Sequence, residues 1–315
     1  MAAQPRRGGP SAVGRQLALV SSVVWPGSIQ SRQRQQGPDR GPDAVPLESI
    51  SVTDIAEPHS ALGGTRQRVA LVTASGGMMG GAIARALASE GYAVVVNDRR
   101  VERTNAVAHE LEVAGHTTLA LTADVSTTDG AEGLVNAAVE RFGCLDVLIN
   151  VAGGIKGPIF NPIWEISDEQ WFVTLATNLS SAFFTSRAAL RTMMPQGSGC
   201  IVNIASTSWA GSGAHSHYAA AKAGLVSLTR SIATQVGPFG IRVNVIVPGG
   251  TKTLAALRSD GDLISDDSDH VKTIPLRRLN EPDDIADAVM YLVSSRARNV
   301  SGQILNVAGG INPSL

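Results

Sequence analysis

In the stretch Ser216-His217-Tyr218-Ala219-Ala220-Ala221-Lys222, a phenol and an ammonium lie four residues apart where an alanine-rich helical run begins. That spacing puts Tyr218 and Lys222 on one helix face, within reach of each other. A phenol near pKa 10 exchanges protons poorly at neutral pH, and an adjacent ammonium favours its charged form. Tyr218 beside Lys222 would therefore pass a proton to or from an alcohol or ketone oxygen. Tyr-x-x-x-Lys also arises by chance, so its meaning depends on the elements that carry it.

From Arg66 onward, strand and helix patterns alternate without a break. Strands are predicted at 69–73, 93–97, 118–122, 147–151, 200–205, 241–247 and 304–307, with helices at 82–89, 101–114 and 282–294 among those between them. Continuous apolar strands alternating with helices specify a parallel sheet covered on both faces. No repeat and no second break in composition follows residue 66, so the chain reads as one doubly wound α/β domain over 66–315. Such a sheet binds ligands at the carboxyl ends of its strands, where strand order reverses.

The residues predicted at those ends are polar or glycine. After the first strand comes Thr73-Ala74-Ser75-Gly76-Gly77-Met78-Met79-Gly80-Gly81. Glycines there would let backbone amides approach a pyrophosphate at a helix N-terminus, although they also serve tight helix–strand packing. The second strand closes on Asn97-Asp98, eighteen residues past Gly80, a spacing that suits a carboxylate on an adenosine ribose. Asp124-Val125 follows the third strand and Asn150-Val151-Ala152-Gly153 the fourth.

Composition excludes several classes. The chain has 315 residues, 43% of them hydrophobic, and a net charge of −1, which supports a large core and gives no electrostatic pull toward nucleic acid or an anionic membrane. Cys144 and Cys200 adjoin apolar strands and are expected as buried free thiols. The six histidines show no metal-ligand spacing, so no metal site is expected. Residues 1–65 are expected to be a disordered extension: up to Pro38 they carry five arginines, no acid, and many Gly, Pro, Ser and Gln. An acid-poor, arginine-bearing start also suits a mitochondrial transit peptide, but Pro5, Gly8, Gly9, Pro10 and Gly14 break any amphipathic helix there. A dispensable tail on a cytoplasmic protein is the preferred reading.

Taken together, residues 66–315 resemble the classical short-chain dehydrogenase/reductase family. The resemblance implies a Rossmann-type sheet of order 3-2-1-4-5-6-7, an NAD(P)-dependent oxidoreductase acting on a secondary alcohol or ketone, and a homodimer or homotetramer. It implies that Tyr218 is the acid/base, that Lys222 binds the nicotinamide ribose and lowers the Tyr218 pKa, that Ser206 bonds the substrate oxygen, and that Asn178 holds a water of a proton relay. The cofactor would rest on Thr73, Ser75, Gly76, Gly77, Met79, Gly80, Asp98, Arg99, Asp124, Val125, Asn150, Ala152 and Gly153. Pro248-Gly249, with Thr251 and Thr253, would cradle the nicotinamide amide.

Two departures stand out. The family's first turn reads Thr-Gly-x-x-x-Gly-x-Gly, whereas the glycine positions here are Ala74, Met78 and Gly80. Sliding by two residues restores glycines at 76 and 80, so a re-registered turn is expected, with Met78 pointing away from the phosphates. These departures also leave open a nucleotide-binding sensor or scaffold without turnover. The closing Val307-Ala308-Gly309 has Ala308 where the family has Asp.

Asp98 argues for NAD over NADP, and Arg99 and Arg100 either bind a 2′-phosphate or face water. A 3-oxoacyl-carrier-protein-type reductase is a further alternative. The uncharged segments Pro195–Gly199 and Gly237–Gly240 favour a free small molecule over a carrier-bound chain. His215 and His217 are expected to be solvated. Trp164 and Trp209 stand at even odds between lining the substrate pocket and packing, and the acidic run 260–269 is expected to be a solvated lid.

Overall fold

The computed structural model describes residues 66–158, 160–253 and 269–311. The tail 1–65, and the acidic run except Asp269, lie outside the described residues. Seven strands form one sheet: β1 (Val69–Val72), β2 (Ala93–Asp98), β3 (Thr118–Thr122), β4 (Val147–Asn150), β5 (Gly199–Ile204), β6 (Ile241–Pro248) and β7 (Ile304–Val307). Every pairing is parallel, in the order β3-β2-β1-β4-β5-β6-β7. Strand order therefore reverses between β1 and β4, where Leu71 pairs with Leu148.

Period-2 alternation splits the strand side chains between two cores. Ala70, Val72, Val94, Val96 and Ile149 pack on one face with helices α1 (Met78–Ser89), α2 (Val101–Val113) and α8 (Pro282–Val293). Val69, Leu71, Val95 and Leu148 pack on the other with α3 (Thr128–Phe142), α5 (Ser181–Gln196) and α6 (Ser216–Val236). Two short helices, α4 (Asp168–Leu175) and α7 (Asp269–Thr273), complete the set among the described residues.

The last long helix shows how sequence dictates an element. Pro282 stands at its first position, and Glu281 and Asp284 form a reciprocal capping box. Ile285, Val289, Leu292 and Val293 recur at helical spacing and are all buried. Cys144 and Cys200 are buried and free. Among the described residues, no helix is long and apolar enough to cross a membrane, and no cluster of three His, Cys, Asp or Glu could hold a metal ion.

Candidate active site at the strand switch point

The first turn keeps the family register rather than the shifted one. Helix α1 begins at Met78, four residues before its expected start, with Gly77 as its N-cap. Ala74 takes the left-handed conformation, φ +51°, at the position the family fills with glycine. A Cβ on Gly80 would lie 2.5 Å from the Ala74 carbonyl oxygen and 2.7 Å from the Ser75 Cα, so only glycine lets α1 pack this closely on the turn. Met78 thus occupies the family's second glycine position, half-buried at the first helical residue. The expectation of a turn built on Gly76 and Gly80 fails because Ala74 absorbs the strained backbone instead.

That strain is measurable. A left-handed non-glycine residue costs roughly 1–2 kcal/mol, and glycine returns part of the gain as unfolded-state entropy. Ala74→Gly should therefore stabilise the fold by about 0.5–1 kcal/mol, read as a higher midpoint of urea unfolding.

Thr73 and Ser75 hold the turn in place. The Thr73 hydroxyl accepts from the backbone N–H groups of Val151 (3.0 Å) and Ala152 (3.1 Å), tying β1 to β4 across the switch point. The Ser75 amide donates to the Asn97 carbonyl at 2.8 Å, and its hydroxyl accepts from the Asn97 amide at 2.8 Å. Both side chains are fully buried, so they contribute to a cofactor site by positioning backbone.

The fit to a dinucleotide can be tested at α1. Its N-terminus has no side-chain cap and no acid in its first turn, so its leading amides are available to a phosphate. Gly76 leaves space beside Asp98: a Cβ there would come 2.8 Å from the Asp98 Oδ2 and 2.5 Å from the Arg103 Cβ. The other carboxylate oxygen, Oδ1, accepts from the Arg100 amide at 3.0 Å. These features fit a pyrophosphate and an adenosine ribose.

Cations border this groove. Arg99 and Arg100 are exposed, and Arg103 is half-buried beside Gly76. Lys156, from the loop after β4, is held below its usual pKa by burial and then by the Arg99 charge, with Asp124 opposing. The Asp124 carboxylate accepts from the Ser126 hydroxyl at 2.7 Å and amide at 2.9 Å, which holds it below the usual carboxylate range. Sequence reasoning missed Arg103 and Lys156, because neither adjoins a motif and both arrive by tertiary contact. Val125 is buried in the core, so its side chain serves packing.

Tyr218, Lys222, Ser206 and Asn178 meet at the end of β4 and β5. Lys222 is buried, and its ammonium donates to the Ile204 carbonyl at 2.8 Å. A Cβ on Gly153 would lie 2.6 Å from Asn178 Oδ1 and 3.1 Å from Lys222 Nζ, so this glycine lets the two side chains converge. Asn178 sits in a π-helical turn, Ala176–Ser180, between α4 and α5. The wide turn swings its amide inward, where Nδ2 donates to the carbonyls of Gly154 (2.9 Å) and Thr174 (3.0 Å) and Oδ1 accepts from the Gly154 amide (2.8 Å). Such single π turns recur at functional sites. Nothing in the sequence pattern announced it.

Burial is the largest influence on both ionisable groups. Burial pushes the Tyr218 phenol up to about 12, and its hydrogen bond with Ser206 opposes that rise. The Lys222 ammonium stands 5.6 Å from the Tyr218 ring centroid. Burial lowers Lys222 itself to about 7, so near neutrality it is only partly the cation the expectation required.

A stability prediction follows with its sign. Above about pH 7 the folded chain gives up the Lys222 proton, whereas the unfolded chain keeps it to about pH 10. The unfolded state then binds more protons, so this group favours folding increasingly as pH rises through that window. Lys222→Met removes the dependence. Its stability relative to the parent should be greatest near pH 7 and fall by the order of a few kcal/mol towards pH 10, measured by urea unfolding.

The remaining expected residues divide between groove and core. The Asn150 side chain is spent internally, donating to Asn203 Oδ1 (2.8 Å) and Ser186 (3.2 Å) and accepting from Thr185 (2.7 Å). It supports the strand ends rather than facing a ligand. Gly249 follows β6, and a Cβ there would lie 2.9 Å from the Ala308 Cα. Thr251 donates to the Gly249 carbonyl at 3.0 Å and bridges to Asn280, and Thr253 continues the same segment. Trp164 is 83% exposed, whereas Trp209 packs beside Ala205 and Leu225. His217 is wholly buried rather than solvated: its Nε2 lies 3.1 Å from the Lys156 carbonyl, which secures the loop after β4.

Comparison with known proteins agrees with this arrangement. The family described as enoyl-(acyl carrier protein) reductase matches residues 74–312. The chain is similar to L-rhamnose 1-dehydrogenase (NAD(P)(+)) of Azotobacter vinelandii, 38% identical over 78% of this chain and 96% of that one. It is similar to a 3-oxoacyl-(acyl-carrier-protein) reductase of Staphylococcus aureus, 35% identical over 77% and 97%. Among solved structures, a protein described as a short-chain alcohol dehydrogenase from Sinorhizobium meliloti superposes with a TM-score of 0.72 at 35% identity, covering 78% of this chain and 96% of that one. With that coverage, the same strand order and the same constellation at the strand ends, the chain belongs to the classical short-chain dehydrogenase/reductase family.

Proposed function

We propose that the protein reduces a ketone, or oxidises the matching secondary alcohol, on a free small molecule, with Tyr218 as the acid/base and NAD(H) as the preferred cofactor. The observation that carries this reading is the convergence of Tyr218, Ser206, Lys222 and Asn178 beside the uncapped start of α1. Family membership makes the chain an NAD(P)-dependent oxidoreductase. The α1 amides would hold the pyrophosphate, Asp98 the adenosine ribose, and Lys222 the nicotinamide ribose. When bound, the nicotinamide supplies the hydride acceptor or donor.

The chain's own residues handle the proton. A phenol pushed up to about 12 is protonated at neutral pH, so the resting site is set to donate, as reduction requires. Ser206, hydrogen-bonded to that phenol, places a second donor beside the oxygen that gains charge. Asn178 and Lys222 face each other across Gly153 and keep the inner end of the site polar.

Cofactor preference tests the reading. Asp98 is only 7% exposed, and a 2′-phosphate would meet a like charge in a partly buried cleft. Arg99, Arg100, Arg103 and Lys156 soften this by offering cations along the same edge. We expect kcat/KM for NAD(H) to exceed that for NADP(H) by about tenfold, equivalent to roughly 1.4 kcal/mol, and Asp98→Asn to narrow the gap. A clear NADP(H) preference in the parent would contradict the assignment of Asp98. The same reading includes a homo-oligomer, supported by Phe172 and Phe183, which stand 67% and 41% exposed on α4 and α5.

A further inference from the structure

The loop after β4 places an unpaired cation beside the dinucleotide groove. Lys156 is half-buried, and among the described residues its ammonium has neither a hydrogen-bond nor an ion-pair partner. Beyond the loss of water, the charges acting on it are those of Arg99, Asp124 and Arg100, just past the ends of β2 and β3. Lys156 acts on the Asp124 carboxylate in return. Its head therefore reaches from the β4 side toward the adenosine side of the groove.

The segment that carries it is fixed on both sides. Before it, Asn178 grips Gly154, accepting from its amide at 2.8 Å and donating to its carbonyl at 2.9 Å. After it, Gly157 takes φ +88° against Gln170, where a Cβ would collide with the Gln170 Nε2. Between them, the Lys156 carbonyl lies 3.1 Å from His217 Nε2. A carbonyl only accepts, so Nε2 carries a proton and donates it. His217 is wholly buried, and its Nδ1 has no hydrogen-bond partner among the described residues. The ring is thus committed to holding Lys156, and it does so from the residue next to Tyr218.

We infer that Lys156 is a ligand for a phosphate of the dinucleotide and that His217 is the positioning residue that holds it over the groove; this rests on the proposed function. An ammonium withdrawn from water without a counter-charge is costly, and an arriving anion supplies the missing partner. Phosphate suits it, because a lysine binds phosphate as a point charge and needs no exact geometry. The uncapped amides of α1 offer donors from the β1 side, and Lys156 adds a full charge from the β4 side.

The adenosine half of a nicotinamide dinucleotide offers two such anions, the pyrophosphate bridge and the 2′-phosphate of the phosphorylated form. Arg99 and Arg100 are exposed, so salt screens them, whereas the half-buried Lys156 is screened less. His217 touches no ligand in this scheme. It acts through the Lys156 backbone, joining the loop that meets the cofactor to the helix that carries Tyr218.

Fluorescence titration of NADH and of NADPH into the full chain tests this without turnover. Lys156→Met should weaken binding by about five- to tenfold, Lys156→Glu by more, and Lys156→Arg by less than about twofold. Equal losses for the two cofactors put the lysine on the pyrophosphate, and a larger loss with NADPH puts it on the 2′-phosphate. His217→Leu should cost about as much as Lys156→Met, and His217→Gln, whose amide donates from a similar place, should recover most of it. In a Lys156→Met background, His217→Leu should add less than about twofold. Unchanged affinity in Lys156→Met, or equal losses in Lys156→Met and Lys156→Glu, would overturn the role of the lysine. A His217→Leu loss that persists in full without Lys156 would overturn the tether. A parent that binds neither cofactor would overturn the proposed function and this inference with it. A parent that binds NADH but reduces no ketone would overturn the proposed reaction alone, and the titrations would still decide Lys156.

Discussion

Tyr218→Phe is expected to lower kcat by about two orders of magnitude or more while leaving cofactor affinity and folding intact. The ring keeps its edge-on contact with His215 at 5.5 Å and its place over Lys222 at 5.6 Å, so packing survives. What disappears is the phenol oxygen that exchanges the proton with the substrate. The Lys222 ammonium lies 5.6 Å from the ring centroid and donates to the Ile204 carbonyl, so it does not stand in the place of the lost hydroxyl. Steady-state kinetics and thermal unfolding of the purified variant check both halves. Near-normal turnover would show that the proton travels by another route.

The second large effect is expected at Gly80. Its missing Cβ would fall 2.5 Å from the Ala74 oxygen, 2.7 Å from the Ser75 Cα and 3.0 Å from the Ala74 carbonyl carbon. These are backbone atoms, so no side-chain rotation relieves the clash. The turn cannot retreat either, because Ser75 is bonded to Asn97 through its amide, at 2.8 Å, and through its hydroxyl, at 2.8 Å. Helix α1 must move instead, dragging Ile83 and Leu87 out of register with the core. Gly80→Ala should cost about 1–3 kcal/mol of stability. It should also weaken dinucleotide binding by about tenfold or more, since the displaced helix carries the phosphate-facing amides. Urea unfolding and a fluorescence titration with NADH read the two effects separately.

The sheet was legible because its strands are continuous apolar runs, and each predicted strand appears within one residue of its expected end. The last helix was legible through Pro282, the acidic capping residues and a buried face at helical spacing. Tyr218 and Lys222 were legible as a pair for the same local reason, four residues on one helix.

Features set by tertiary contact were not. The start of α1 was misplaced because Gly80 and Gly81 look like a turn, yet helix packing on Ala74 is what demands a glycine there. The raised Tyr218 and lowered Lys222 pKa values were not legible, because burial, which spacing does not reveal, is the largest influence on both groups. Asn178 entered only by resemblance, since the π turn that aims it leaves no periodic trace. His217 looked like a loop residue and is instead a buried tether for the loop after β4.

The central claim is that the groove beside α1 and Asp98 binds a nicotinamide dinucleotide that the Tyr218 site then uses. Thermal unfolding of the full chain with and without NADH and NADPH tests it most directly. At about a hundred times its dissociation constant, a bound cofactor should add roughly 2.7 kcal/mol. The account predicts a clear upward shift with NADH, a smaller one with NADPH at equal concentration, and a retained NADH shift in Tyr218→Phe. Unfolding that neither cofactor moves would contradict it.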